Sequence, residues 1–448
     1  MTSQQGEGQA RSISRETILS LYLPAAVLAL GTGIAAPVIP FYAKSFDISL
    51  ETAGLVVILH ALGQLASVVP TGYLIDKIGR RPVILAGPLL TALTAFLTAF
   101  SGSFEELLVW RFVNGFAEVM WGQARLAMIA DTGGNRERGK LITWMLSLQR
   151  VGNLFAPAMG GFLATINMQV PFLVQGVLIL IVLVPSFKLI KETRPVKTAQ
   201  SAEEARGEWQ FVFSQVRQPH IMYFLAAQFM ASLTRGSTAG IIQIYMVFAY
   251  GIGPGTLGFL SSLNSVLVLP IGFLTGVIMD RYGRKMTLVP GFAGIGVTAM
   301  FMAFTAAADA SLAVFLAAYF GLHMAQAVTA GNMQVLGSDL APERARGRFF
   351  SVWRMFGEAG SAVSPGIFTG LAAAISYAAA FGFIGVSGAT VALIIGFKIK
   401  ETVGRISGGR SRRGGRRGPE PPAGPEPGPP AEAAAAEGGS VTATGPAG

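Results

Sequence analysis

Twelve apolar stretches, each about 20 residues or longer, leave this chain few ways to fold. They fall at 17–43, 51–75, 82–101, 105–130, 140–165, 169–187, 219–249, 255–279, 286–308, 311–336, 347–372 and 376–397. A helix rises about 1.5 Å per residue, so each stretch is long enough to cross a hydrocarbon core about 30 Å thick. In lipid every backbone N–H and C=O has to be satisfied within the segment, and a helix does this. The expected fold class is an all-α membrane protein with twelve transmembrane helices. Composition agrees: 52% of the 448 residues are hydrophobic and 13% are charged, about half the charged share of a soluble domain.

The loops set the expected orientation. One set holds Lys77/Arg80/Arg81, Arg136/Arg138/Lys140, a basic stretch from Lys188 to Arg217, Arg281/Arg284/Lys285 and Arg344/Arg346/Arg348. The opposite set holds Lys44 among the acids Asp47, Glu51, Glu105, Glu106 and Asp309. Positive loops stay in the cytoplasm, so the reading is a multi-pass protein of the cell (plasma or inner) membrane with both termini cytoplasmic. The net charge of +10 is thereby explained by loops, and no nucleic-acid partner is expected. Residues 1–16 read as a polar cytoplasmic tail without a signal-peptide cleavage pattern. Residues 17–187 and 219–398 read as two six-helix bundles, 188–218 as the linker between them, and 399–448 as a disordered cytoplasmic tail. That tail starts Gly/Arg-rich, from Arg405 to Arg417, and continues in Pro/Ala/Gly/Glu low complexity. Its basic part suits anionic lipid headgroups. The absence of cysteine excludes disulfides and thiolate metal sites.

The two bundles repeat one another. Gly72-Tyr-Leu-Ile-Asp76-Lys-Ile-Gly79-Arg80-Arg81 and Gly276-Val-Ile-Met-Asp280-Arg-Tyr-Gly283-Arg284-Lys285 share the pattern G-x-x-x-D-[KR]-x-G-R-[RK]. Asp131…Arg136-Glu-Arg138-Gly139-Lys140 corresponds to Asp339…Arg344-Ala-Arg346-Gly347-Arg348, Pro157 to Pro365, and Lys191-Glu192-Thr193 to Lys400-Glu401-Thr402. Each half holds an even number of spans, so the copies share an orientation and are related by a pseudo-twofold axis along the membrane normal. Gly72 and Gly79 permit close backbone approach and a sharp turn. Asp76 and Arg80 are close enough to pair, with Asp131 able to join them; Asp280, Arg284 and Asp339 are the counterparts.

On these residues the chain resembles the major facilitator superfamily, over about residues 15–400. Three more stretches are similar to its twelve-span drug:proton antiporter branch: Leu30-Gly31…Pro37-Val-Ile-Pro40 in span one, Arg111-Phe-Val-Asn-Gly115 in span four, and Gly152…Ala156-Pro157-Ala-Met-Gly160-Gly161 in span five, where Ala156 replaces the usual Gly. The resemblance implies that spans three, six, nine and twelve face lipid and that substrate binds near the midplane between the halves. It implies that the loop residues Gly72, Asp76, Gly79, Arg80, Asp131, Asp280, Gly283, Arg284 and Asp339 form gating latches on the cytoplasmic side. It also associates the span-five motif with export, whereas spacing alone assigns Pro157, Gly160 and Gly161 to a helix bend and close packing.

Charges inside the spans bear on mechanism, because a charge at the bilayer centre has to pair or line a cavity. Arg111, Glu118 and Arg125 recur every seven residues, hence on one face of span four. Arg150 lies about 16 Å into span five, and Arg235 is similarly deep in span seven. Arg354 and Glu358 are four apart in span eleven and able to pair. Glu118 and Glu358 are the candidate proton carriers, the alternative being simple neutralisation of nearby arginines. Arg150, Arg235, Arg354, His60 and His323 are candidate substrate-binding groups, against carbonyl bonding for the arginines and packing for the histidines. Arg111 is read as proton-modulating or structural, Arg125 as snorkelling, and Trp121, Trp144 and Trp353 as packing aromatics.

Gly134-Asn-Arg-Glu-Arg-Gly139-Lys140-Leu141 falls short of a phosphate loop because Leu stands where Ser or Thr is needed and no strand precedes it. With no metalloprotease or hydrolase motif either, the chain does not read as an enzyme. The expectation is a monomeric secondary transporter of a small molecule, working by alternating access without a cofactor and with protons as coupling ion. Export of amphipathic compounds leads; an organic anion or metabolite carried by proton symport or uniport is the second reading; a non-transporting sensor or scaffold is the third.

Overall fold

The computed structural model describes residues 22–132, 135–190, 192–193, 202–238, 240–342 and 344–401, with side chains throughout these except at 129–148 and 202–205. The polar N-terminal tail and the Gly/Arg-rich C-terminal tail lie outside the described residues.

The described chain is helical in twelve long rods. Span one is Leu23–Lys44, span two Leu50–Ile78, span three Arg80–Ala99 and span six Val170–Leu189. Span eight is Pro254–Tyr282, span nine Lys285–Ala307, span ten Leu312–Leu340 and span twelve Tyr377–Lys398. These eight are long and apolar enough to cross a membrane by composition alone. The remaining four are span four (Phe104–Thr132), span five (Asn135–Ile166), span seven (Pro219–Thr238 continued by Ile241–Ala249) and span eleven (Arg346–Ala374). They are the four that carry intramembrane charges.

Several rods are interrupted, span two by a turn at Gly54 among them. Span one passes through a 3-10 turn at Ala36–Val38, where Pro37 removes a backbone donor. Span seven breaks at Gly240 and span ten at Gly331, with φ of +92° and +82°. The linker is not purely extended: Ala202–Val216 is a helix, held on the ends of spans seven and eleven by Val212, which is fully buried with Ile221, Leu225 and Phe349.

Spans three, six, nine and twelve take their main packing from their own half, as expected of lipid-facing helices. The halves meet at the end opposite the repeated loops. There Lys44 Nζ donates to Val247 O (3.1 Å) and Tyr377 Oη donates to Glu51. Span five lies against span eight, where Ala158 N donates to Ser262 Oγ (2.9 Å). Spans two and eleven meet where a Cβ on Gly54 would stand 2.8 Å from Thr369 Oγ1.

Small residues carry this packing. A Cβ on Gly160 would come within 1.8 Å of Ile34 O in span one, and a Cβ on Gly161 within 2.4 Å of Pro254 O in span eight. Pro157 O lies 2.4 Å from a Cβ placed on Gly258. The motif around Pro157 thus packs span one on one flank and the other half on the next. Without a hydrophobic force between helices in lipid, such close backbone approach supplies the contact.

Candidate functional site

Each repeated loop is a turn between two helices, and the turn needs glycine. Gly79 has φ +100° and Gly283 φ +107°, a region that side chains other than glycine's rarely adopt. The next helix starts at once and would leave backbone donors unsatisfied. A carboxylate from 111 to 117 residues away fills that need: Arg80 N and Arg81 N donate to the two oxygens of Glu192 at 2.9 and 3.0 Å, and Arg284 N and Lys285 N to those of Glu401 at 3.0 Å each. A Cβ on Gly79 would lie 2.4 Å from Glu192 Oε2, and one on Gly283 2.8 Å from Glu401. Glu192 and Glu401 went unassigned in the sequence reading, although the repeated Lys-Glu-Thr contained the signal.

In the second half Arg284 Nη1 meets Asp280 Oδ1 at 3.2 Å and Arg284 Nε meets Asp339 Oδ2 at 3.1 Å. This cluster joins spans eight, nine and ten of one half. In the first half Arg80 is buried and donates to Ile75 O at 3.3 Å, while Asp76 is exposed. The Asp131 side chain lies outside the described residues. Gly72 does not make the close approach read from the sequence, since a Cβ there meets nothing within 4 Å. The reason is that the two halves touch at the other end.

A cavity of about 640 Å³ lies between the halves, lined by His60, Gln64 and Glu118 on one side and Gln228, Ser232, Arg235, Trp353, Arg354 and Glu358 on the other. Five sequence-derived candidates therefore share one space. Glu118 accepts from Gln64 Nε2 at 3.2 Å and faces His60 Nε2 at 3.2 Å. Arg354 Nε donates to Glu358 Oε1 at 3.5 Å, the pairing expected from their spacing. Arg235 Nη2 donates to Ser232 Oγ at 3.3 Å. Trp353, read above as packing, is part of the cavity wall.

Two smaller cavities extend into the bundles. One of about 280 Å³ in the first half adds Arg111, Asn114, Asn153 and Gln175 to His60 and Glu118. Arg111 Nη1 donates to Asn114 Oδ1 at 3.4 Å, and Asn114 donates to Thr94 at 3.1 Å. Gly115, in the same motif, lies where a Cβ would reach 2.1 Å from His60 O, so the motif fixes spans two and four together and holds Arg111 over a polar pocket. The other cavity, about 350 Å³ in the second half, holds His323, Asn264 and Gln326 with Gln228, Arg235 and Trp353. His323 Nδ1 lies 2.9 Å from Tyr319 O.

Two arginines are placed otherwise. Arg150 is exposed on span five, its Nη1 4.0 Å from a Cβ built on Gly272 of span eight, and it does not line these three cavities. Arg125 does not snorkel: it is buried with its guanidinium 5.1 Å from the Trp121 ring. The Trp144 side chain lies outside the described residues. Among the described residues no group of His, Asp and Glu has the arrangement of a metal site.

Comparison with known proteins agrees with this architecture. The D-xylose-proton symporter superposes with a TM-score of 0.71 at 16% identity, covering 87% of this chain and 98% of that one. A POT family transporter bound to 5-aminolevulinic acid gives 0.71 at 13% identity, covering 85% and 95%. At such identities the likeness concerns the fold. In sequence, Multidrug resistance protein 2 of Bacillus subtilis is 24% identical over 259 residues, 57% of this chain and 65% of that protein. Quinolone resistance protein NorA of Staphylococcus aureus is 28% identical over 182 residues, 41% of this chain and 47% of that protein. Both alignments span less than two thirds of the relative. The profile of the Major Facilitator Superfamily, by contrast, matches residues 21–227 and again 224–435, one match to each half. The chain is a multi-pass membrane protein and belongs to the Major Facilitator Superfamily.

Proposed function

We propose that this protein is a secondary active transporter that exports small amphipathic compounds in exchange for protons. The observation that carries the reading is the cavity between the halves, with Glu118 entering from one half and Glu358 from the other. Each carboxylate has a basic neighbour, His60 or Arg354. Protonating the carboxylate weakens that contact and frees the neighbour to reposition, so proton uptake and a change of cavity wall occur together. Each elementary charge moved through the membrane supplies about 2.3 kcal/mol per 100 mV.

The excess of Lys and Arg supports a cytoplasmic position for the repeated loops. The halves then touch at the outer end, and the described state is the inward-facing one. The names of the two drug-resistance relatives support export. The chain acts as a monomer, and the Gly/Arg-rich composition of its tail, outside the described residues, suits anionic headgroups. The arginines lining the cavity favour the second reading, an organic anion as substrate.

Proteoliposomes with an internal pH-sensitive dye separate these readings. Lipophilic cations should trigger proton movement with the wild type. With Glu118→Gln the response should be lost. A response confined to organic anions would transfer the assignment to the second reading. No response to either panel, from protein shown to be folded, would remove proton coupling.

A further inference from the structure

The linker helix Ala202–Val216 presents four different chemistries around its circumference. At about 100° per residue, Val212 and Val216 share one sector, and Val212 is fully buried against Ile221, Leu225 and Phe349 at the ends of spans seven and eleven. The adjoining sector holds Trp209 and Phe213, stacked at 5.8 Å and 40% and 55% exposed. Next come Arg206 and Arg217, both exposed, and then Gln210 and Ser214, exposed and neutral. Arg217 belongs to this face because its N–H still donates to Phe213 O at 3.2 Å.

Protein, exposed aromatics, cations and neutral polar groups thus follow in order. That is the order met at a membrane surface on moving from the bundle into acyl chains, headgroups and water. The level of the helix fits as well. Val212 packs on the first turns of two membrane spans, and Val216 is followed within three residues by Pro219, where span seven starts. The helix is also clamped. Arg348 Nε binds Glu208 Oε2 at 3.0 Å, its guanidinium lies 5.5 Å from the Trp209 ring, and Arg344 lies 5.4 Å from Phe211.

We propose that this face of the linker helix is a binding surface for anionic phospholipid headgroups. Trp209 and Phe213 seat in the upper acyl region, and Arg206 and Arg217 bracket them to hold phosphate. The clamp through Arg348 makes lipid held there move with the second half. This assignment stands on the membrane-protein fold and not on what is transported.

The test uses the full-length protein in nanodiscs of mixed phosphatidylglycerol and phosphatidylcholine. Bromine in the upper acyl chain is placed on one lipid or the other, in equal numbers. Subtracting the fluorescence of Trp209→Phe isolates the Trp209 component. Labelled phosphatidylglycerol should quench that component more strongly, with a local enrichment of up to about fivefold per arginine. The preference should collapse in Arg206→Gln/Arg217→Gln, whose tail is unchanged, so a lipid cloud drawn by the tail would persist in the variant and overturn the assignment. Equal quenching by both labels in the wild type would overturn it too. So would a Trp209 reached by aqueous iodide and by neither lipid.

Discussion

One carboxylate closes each repeated loop, and its chemistry shows how a short motif depends on a distant residue. Glu192 satisfies the first two donors of span three, and its charge lies at the positive end of that helix. The carboxylate is exposed, so water competes for it, and its loss should resemble loss of an ordinary N-cap. Glu192→Ala should destabilise the protein by about 1 kcal/mol, seen as a lower thermal unfolding midpoint in detergent. Gly79→Ala should cost more, because it forces a side chain into a left-handed conformation and against that same carboxylate. An unchanged midpoint in Glu192→Ala would show the cap to be dispensable. The turn glycines were legible in the sequence because turn chemistry is local. The cap was not, because Glu192 and Arg80 are 112 positions apart and a repeated Lys-Glu-Thr does not announce its partner. Glu118 was legible as an interior charge, while its partners His60 and Gln64 on span two follow only from how spans two and four cross.

Among the elements, the continuous apolar spans were legible almost to their ends, since lipid demands length and hydropathy of a span that faces it. The breaks in spans seven and ten were not, because Gly240 and Gly331 sit in apolar runs where glycine is equally at home as a packing residue. The linker helix escaped notice because Val212, the one buried residue among the described side chains of the helix, leaves a weak pattern within a charged segment. Span five shows what spacing alone could not divide. Gly160 packs within its own half and Gly161 against the other half. Gly160→Ala should therefore lower the yield of folded protein, since a Cβ 1.8 Å from Ile34 O has to displace span one. Gly161→Ala should leave each bundle intact and disfavour only the state in which spans five and eight touch here. Protein yield after detergent extraction, together with maleimide labelling of a cysteine placed at Ser262, reads both effects. Equal loss of folded protein in the two variants would contradict this division of labour.

At the scale of the molecule, two pseudo-equivalent halves meet at one end through few polar contacts: Lys44 with Val247, Glu51 with Tyr377, and Ala158 with Ser262. A hydrogen bond is worth about 1 kcal/mol net, so these polar contacts add little to the close packing of spans five and eight. Alternating access requires that this end parts, and the absence of natural cysteine makes the requirement directly testable. A Cβ on Gly54 would stand 2.8 Å from Thr369 Oγ1 and 3.0 Å from Cγ2, so the two Cβ atoms fall near the roughly 3.5–4.5 Å span of a disulfide. Replacing Thr369 with Cys also removes the two atoms that crowd the site. Gly54→Cys/Thr369→Cys should oxidise readily, hold this end shut and stop transport, and a reductant should restore the rate. The cross-linked protein should still admit a small polar maleimide to a cysteine at Leu126, on the cavity wall toward the repeated loops, since that end is unaffected. A disulfide that forms fully while transport continues would mean that this end never opens during the cycle, and a two-state exchange of access between the halves would have to be abandoned.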